Sequence, residues 1–198
     1  MSLHKETLRT VTTNLQGAYQ QMNCNTALAA IDNLLERGLI TVAPEQIGQA
    51  LMNVYWPGRM EYFALDDNRA ILLDGAHNPA GIACLAENLR DLYSDRDIIL
   101  FLSILDDKEQ VRMLQEILPL ASAVVLTKPE HDDRAQHWMQ IEQHIHEIAP
   151  DCPCRIYDND KTGLKMEVQQ LKAGQILCIT GSLYLISDCR SFLLRELL

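Results

Sequence analysis

The chain has 198 residues, enough for one domain with an appendage or for two very small ones. Its 47% hydrophobic residues suffice for a core, while a net charge of −10 argues against a general binder of nucleic acid or anionic membranes. No apolar run approaches the roughly 20 residues of a membrane-spanning helix, and the opening residues carry no secretory signal, so the expected location is cytoplasmic.

Residues 4–15 are rich in β-branched side chains and read as strand-like, without an obvious partner nearby. Over 20–37, Met22, Leu28, Ala29, Ile31, Leu34 and Leu35 recur at three- and four-residue steps, which predicts a helix that Gly38 ends. Ala43-Pro44-Glu45 opens a short helix reaching about residue 54. Residues 1–55 therefore read as an N-terminal helical appendage, and 56–198 as the main domain.

From Trp56 onward, strands alternate with helices. Strands are expected near 60–65 and 69–74, joined as a hairpin by the polar turn Asp66-Asp67-Asn68. A helix over 79–92, a strand over 97–102, a helix over 106–118 and a strand over 123–126 follow. Then come a helix over 134–147, a strand over 154–157, a helix over 161–171, a strand over 175–179 and a closing helix over 183–197. Continuous apolar strands between amphipathic helices predict an α/β fold. The expected architecture is a three-layer, Rossmann-like domain with a mostly parallel sheet, an N-terminal β-hairpin strand and the helical appendage.

In such sheets ligands bind beyond the carboxyl ends of the strands. Four polar clusters fall there: 74–78, 103–108, 127–134 and 180–182. In the first, the apolar run Ala70-Ile71-Leu72-Leu73 stops at Asp74-Gly75-Ala76-His77. Asn78 then suits an N-cap and Pro79 the first helical position. A strand passing through a tight turn into a helix leaves free backbone N–H groups, a ready anion site. Asp74 could accept bonds from ribose hydroxyls, and His77 could contact a phosphate or shuttle a proton.

Arg59 follows Pro57-Gly58, where its guanidinium could grip a phosphate with two parallel bonds or serve as a surface charge. Thr180-Gly181-Ser182 is a second strand-to-helix turn, in which Ser182 either caps the helix or helps hold a carboxylate or phosphate. Asn23 is available as a cap or as an amide reading a base edge. Asp106-Asp107-Lys108-Glu109 reads as a charged helix start, and His131, Asp132, Asp133 and Arg134 as a solvated loop. His137, His144 and His146 fall on one surface helix. Six cysteines, at 24, 84, 152, 154, 178 and 189, lack metal-site spacing and read as reduced structural thiols. No metal ligands are expected in this chain.

Trp56-Pro57-Gly58-Arg59-Met60-Glu61, then Leu72-Leu73-Asp74-Gly75-Ala76-His77-Asn78-Pro79, then Thr180-Gly181-Ser182-Leu183-Tyr184, in that order, resemble folylpolyglutamate synthase/dihydrofolate synthase. These are ATP-dependent amide ligases related to the Mur peptidoglycan ligases. Residues 15–29 resemble that family's Gly-x-His-Gln-x-x-Asn segment, with Tyr19 in place of the His. The resemblance covers nearly the whole chain but less than half of the family's protein. The family's N-terminal ATP-binding domain carries a P-loop, and no G-x-x-x-x-G-K-[ST] occurs here.

The resemblance implies a C-terminal glutamate-ligase domain preceded by a remnant of the central domain. The implied reaction uses ATP and Mg2+, the metal held mainly by the absent P-loop domain. It joins L-glutamate to dihydropteroate or a folate through an acyl phosphate. By position, Asn23 is implied to contact the adenine, Arg59 the phosphates and Asp74 the ribose. His77 is implied to stand near the transferring phosphate as the catalytic residue, and Ser182 to help hold the glutamate carboxylate. The chain alone is expected to fold without ligase activity. The competing readings are another Mur-type amino-acid ligase domain and a non-catalytic nucleotide-binding module. A dehydrogenase-like domain fits less, since no G-x-G-x-x-G follows a strand.

Overall fold

A computed structural model describes residues 12–17, 19–128 and 133–198. The chain divides into two compact units, Met1–Pro57 and Gly58–Leu198.

The first unit holds helices α1 (Tyr19–Glu36) and α2 (Pro44–Met52). Helix α1 stops where expected. Gly38 takes a φ of 65°, its N–H bonds to the Leu35 carbonyl at 3.0 Å, and Leu39 N–H reaches back to Leu34 at 3.0 Å. That pair of bonds is the Schellman closure, which favours glycine because the left-handed conformation crowds a Cβ. Helix α2 opens with Pro44, and the Gln46 side chain accepts from the Ala43 N–H at 2.9 Å. Among the described residues of this unit only Gln20 and Ile47 are buried, and Leu28, Ile31, Leu34 and Leu35 stay half-buried. Of the stretch read as strand-like, residues 1–11 lie outside the described residues, and 12–15 form no strand.

The second unit begins with a hairpin of β1 (Glu61–Ala64) and β2 (Ala70–Leu73), antiparallel with Tyr62 opposite Leu72. Its reversal places Asp67 and Asn68 at φ 57° and 56°, the left-handed pair that suits the twist of a hairpin. Then follow α3 (Pro79–Leu92), β3 (Asp97–Leu102), α4 (Gln110–Ile117), β4 (Ala121–Leu126) and α5 (Gln140–Ile148). The chain continues through β5 (Cys154–Ile156), α6 (Asp160–Gln170), β6 (Gln175–Thr180) and α7 (Leu183–Phe192). The sheet order is β1-β2-β6-β3-β4-β5, and every pairing after the first is parallel.

Alternate strand residues face opposite layers. Leu72, Leu100, Leu102, Val124, Leu126 and Cys178 share one cluster with Leu85 and Leu89 of α3, Leu114 of α4, and Ile141 and Ile145 of α5. Ile71, Leu73, Phe101, Val125, Leu177 and Ile179 share the other with Leu164 of α6 and Leu185 and Cys189 of α7. The three-layer α/β expectation is therefore met. The edge strand β5 is pinned by charge as well: Arg155 donates to both carboxylate oxygens of Glu167 on α6, at 2.8 and 2.6 Å. No described helix is long and apolar enough to cross a membrane.

The element boundaries that differ most from the sequence reading are three. The helix expected from 106 begins at Gln110, because Asp106 donates its N–H to the Arg134 carbonyl at 2.7 Å and gives its carboxylate to His137. The charged residues there form a turn held to the next loop. The helix expected over 134–147 is a 3-10 turn at Asp133–Ala135 and then α5, so His137 precedes the helix that carries His144 and His146. The closing helix changes at Leu193–Leu197 into a wider π turn.

Candidate functional site

Because β2, β6, β3 and β4 run parallel, the loops after them emerge at one edge of the sheet. Direct bonds join the first two of these loops. Asp74 N–H donates to the Ile179 carbonyl at 3.1 Å, and Gly181 N–H donates to the Ala76 carbonyl at 2.9 Å. The Thr180 hydroxyl reaches the same Ala76 carbonyl at 3.3 Å. The packing is close enough to exclude side chains. A Cβ on Gly75 would lie 2.7 Å from Leu183 Cδ2, and one on Gly181, at φ 99°, would lie 2.5 Å from the Ser103 carbonyl oxygen. Gly181 is required both by contact with backbone and by conformation, whereas a side chain at Gly75 would have to displace the exposed Leu183 side chain.

The loop before β1 joins the same assembly. Gly75 N–H donates to the Gly58 carbonyl at 2.8 Å. Asp74 is 3% exposed, and its carboxylate bridges two loops, accepting from Met60 N–H and from Ala76 N–H, each at 3.0 Å. Burial pushes the Asp74 pKa up; these two amides and the Arg59 charge pull the other way. Two residues beside Arg59 take left-handed backbone, Gly58 at φ 69° and Met60 at φ 47°. Both are buried, whereas Arg59 between them is exposed. Its guanidinium makes no hydrogen bond or ion pair with the described residues.

His77 is half-buried, with Nδ1 2.8 Å from the Gly75 carbonyl. A carbonyl only accepts, so Nδ1 carries the proton and Nε2 is the acceptor of the neutral ring. Asn78 caps α3, its side chain accepting from Gly81 N–H at 2.8 Å. Ser182, 1% exposed, caps α7 by accepting from Tyr184 N–H at 3.2 Å. Of the five residues singled out from sequence, Arg59, Asp74, His77 and Ser182 come together on these bonded loops. Asn23 lies in the other unit, exposed, donating to the Gln20 side chain at 2.9 Å. It is one turn inside α1 and so is not a helix cap.

Two cation contacts escaped the sequence reading. Arg134 belongs to the loop read as solvated, yet its guanidinium carbon lies 4.9 Å from the centroid of the Tyr184 ring, in the first turn of α7. That brings a positive charge beside the Ser182 turn. His131 and Asp132 of the same loop lie outside the described residues. The second contact joins Glu61 of β1 to Arg190 of α7, at 2.8 to 3.1 Å. The only signal available for Arg134 was a cation in a loop after a strand end.

The residues described at this edge suit a polyanion. An exposed arginine, a histidine with an open ring nitrogen and a helix start face the same edge. Among the described residues, no three of His, Cys, Asp or Glu gather as a metal-ligand group. All six cysteines are free thiols. Burial pushes Cys154 up to about 11, and raises Cys178 and Cys189 further from reactivity.

Comparison with known proteins adds a family. The family model described as "Mur ligase, glutamate ligase domain" matches residues 58–183. The dihydrofolate synthase/folylpolyglutamate synthase of Bacillus subtilis is 27% identical over 181 residues, covering 91% of this chain and 40% of that protein. The folylpolyglutamate synthase of Lacticaseibacillus casei is 32% identical over 180 residues, with the same two coverages. The chain thus spans about two fifths of the length of these relatives. Among solved structures, Mycobacterium tuberculosis folylpolyglutamate synthase complexed with ADP superposes with a TM-score of 0.75 at 22% identity, covering 94% of this chain and 42% of that one.

Proposed function

This chain belongs to the Mur ligase family as a glutamate ligase domain, and on that footing we propose that it is the C-terminal domain of an ATP-dependent ligase adding L-glutamate to dihydropteroate or a folate. The observation that carries the proposal is the welding of three loops, 57–60, 74–78 and 180–182, by backbone bonds into one rigid edge. The reading is supported by relatives named as folylpolyglutamate and dihydrofolate synthases, one such synthase solved with ADP.

In this reading ATP supplies the phosphoryl group that activates the substrate carboxylate for attack by the glutamate amine. The chain's own residues bind and orient. Arg59 contacts phosphate oxygens, its exposed fork being suited to bidentate bonding. Asp74 accepts from the ribose through lone pairs left over by its two backbone amides. His77 Nε2 stands near the phosphoryl group in transit. Ser182 and the backbone N–H groups of its turn receive the glutamate carboxylate, with Arg134 beside them as a counter-charge. Asn23, on the first unit, reads the adenine edge. The first unit itself is the remnant of a central domain. Mg2+ and the phosphate cradle belong to a P-loop domain, whose motif this sequence does not contain. Such catalysis is mostly positioning and charge neutralisation, and so requires both halves. A cytoplasmic setting accompanies these substrates.

The test measures ATP- and glutamate-dependent glutamylation of dihydropteroate and tetrahydrofolate, by the chain alone and by the chain joined to the P-loop half of the Bacillus subtilis relative. Turnover is expected only in the joined protein. Turnover by the chain alone would overturn the division of labour. A joined protein that binds ADP but never ligates would favour a non-catalytic nucleotide module.

A further inference from the structure

One ion pair of the second unit, buried at its carboxylate and half-buried at its guanidinium, has no part in the roles assigned to the site. Glu61 is 8% exposed at the start of β1, next to the loop that carries Arg59. One of its carboxylate oxygens accepts from the Gly58 N–H at 2.7 Å. Both oxygens accept from Arg190, whose Nε lies at 2.8 and 3.1 Å and whose Nη2 lies at 3.0 Å. Arg190 sits in the last turn of α7, the helix whose first turn is capped by Ser182. Glu61 and Arg190 are 129 positions apart in the chain.

The geometry around Gly58 explains why such a clamp is needed. Gly58 and Met60 hold left-handed backbone on either side of Arg59, and a left-handed methionine is strained. Strained backbone persists only where its surroundings over-determine it. Met60 is tied by Asp74, and the Gly58 carbonyl by Gly75. Glu61 supplies the remaining tie, at the Gly58 N–H. Ile186 of α7 closes the space behind, since a Cβ on Gly58 would lie 2.7 Å from its Cγ2. A carboxylate buried this far needs a cation, and the planar fork of Arg190 matches it on both oxygens.

We propose that Glu61 and Arg190 are positioning residues for Arg59. Glu61 fixes the loop backbone from which the Arg59 side chain meets the anionic ligand, and Arg190 makes α7 a strut between that loop and the Ser182 turn. The two ends of the ligand site are thereby set in register by one helix. The proposal rests on the reading of Arg59 as a phosphate contact.

The experiment compares Arg59→Ala, Glu61→Gln, the double variant and the milder Arg190→Lys. Amide hydrogen exchange is followed in the 198-residue chain, and ADP affinity is measured in the joined protein described above. Loss of the charge-assisted bond should speed Gly58 exchange about tenfold in Glu61→Gln, while β2 and β6 exchange as before. ADP affinity should fall in Glu61→Gln towards that of Arg59→Ala, and the double variant should bind no worse than Arg59→Ala. Arg190→Lys, which keeps charge but loses the fork, should fall between. Unchanged affinity in Glu61→Gln beside a clear loss in Arg59→Ala would overturn the positioning role and leave the phosphate role of Arg59 standing. Unchanged affinity in Arg59→Ala would overturn that phosphate role and the proposal with it. Unchanged Gly58 exchange would overturn the clamp regardless of binding.

Discussion

Helix α1 carries Leu28, Ile31, Leu34 and Leu35 along its 18 residues without burying any of them, whereas β2 buries all four of its residues. Both segments are apolar, and both have the spacing their element requires. The difference lies in what surrounds them. In the second unit every sheet face meets helices drawn from the same stretch of chain, so the apolar stripes close on one another. The first unit offers two helices and only two buried residues among those described. A helix gains most of its stability by packing a stripe against another layer. The same hydrophobic pattern therefore specifies a core in one unit and an unfilled face in the other.

Truncating one leucine in each unit should separate them most strongly. Leu100→Ala, fully buried in the central strand β3, should cost about 2–5 kcal/mol of unfolding free energy in urea. Leu34→Ala in α1, half-buried, should cost less than about 1 kcal/mol. Comparable losses would erase the contrast. Acid should sharpen it through Asp74 of the second unit. Its carboxyl holds its proton more tightly folded than unfolded, so its contribution to stability is fully present below the ordinary aspartate range. That contribution is lost as pH rises through the raised folded value. Wild type should therefore lose ground to Asp74→Asn as pH rises across this interval, measured as the difference in urea midpoints. Parallel curves would rule out a raised Asp74. The smallest effect is kinetic. A thiol reagent should modify Cys24 of α1 within the native chain, and Cys189, buried in α7, only as fast as that unit opens. Early labelling of Cys189 would place the two units on the same footing.

Much of the second unit was legible beforehand because its signals are local. Asn78-Pro79 announces a helix start through a side chain that bonds three residues on. Asp67 and Asn68 announce a hairpin because few residues accept left-handed backbone. The candidate site was legible in part, since Arg59, Asp74, His77 and Ser182 all stand at turns whose glycines mark them. Where the reading failed, the cause was distant. The start of α4 moved to Gln110 because Asp106 bonds to Arg134 and His137 instead of opening the helix. Arg134 looked solvated because Tyr184, the ring beneath it, is far along the chain.

The sequence by itself determined the alternation of strands and helices, the turns between them and the family signature, since each depends on residues within a few positions of one another. Only the tertiary structure decided that the Asp74 carboxylate, besides bonding Ala76 in its own turn, accepts from Met60 N–H in the loop before β1. It alone decided that Glu61 meets Arg190 across the sheet edge. Such contacts follow from strand order, which brings together groups that no local pattern relates. Their cost when left unpaired inside the fold is what makes them specific.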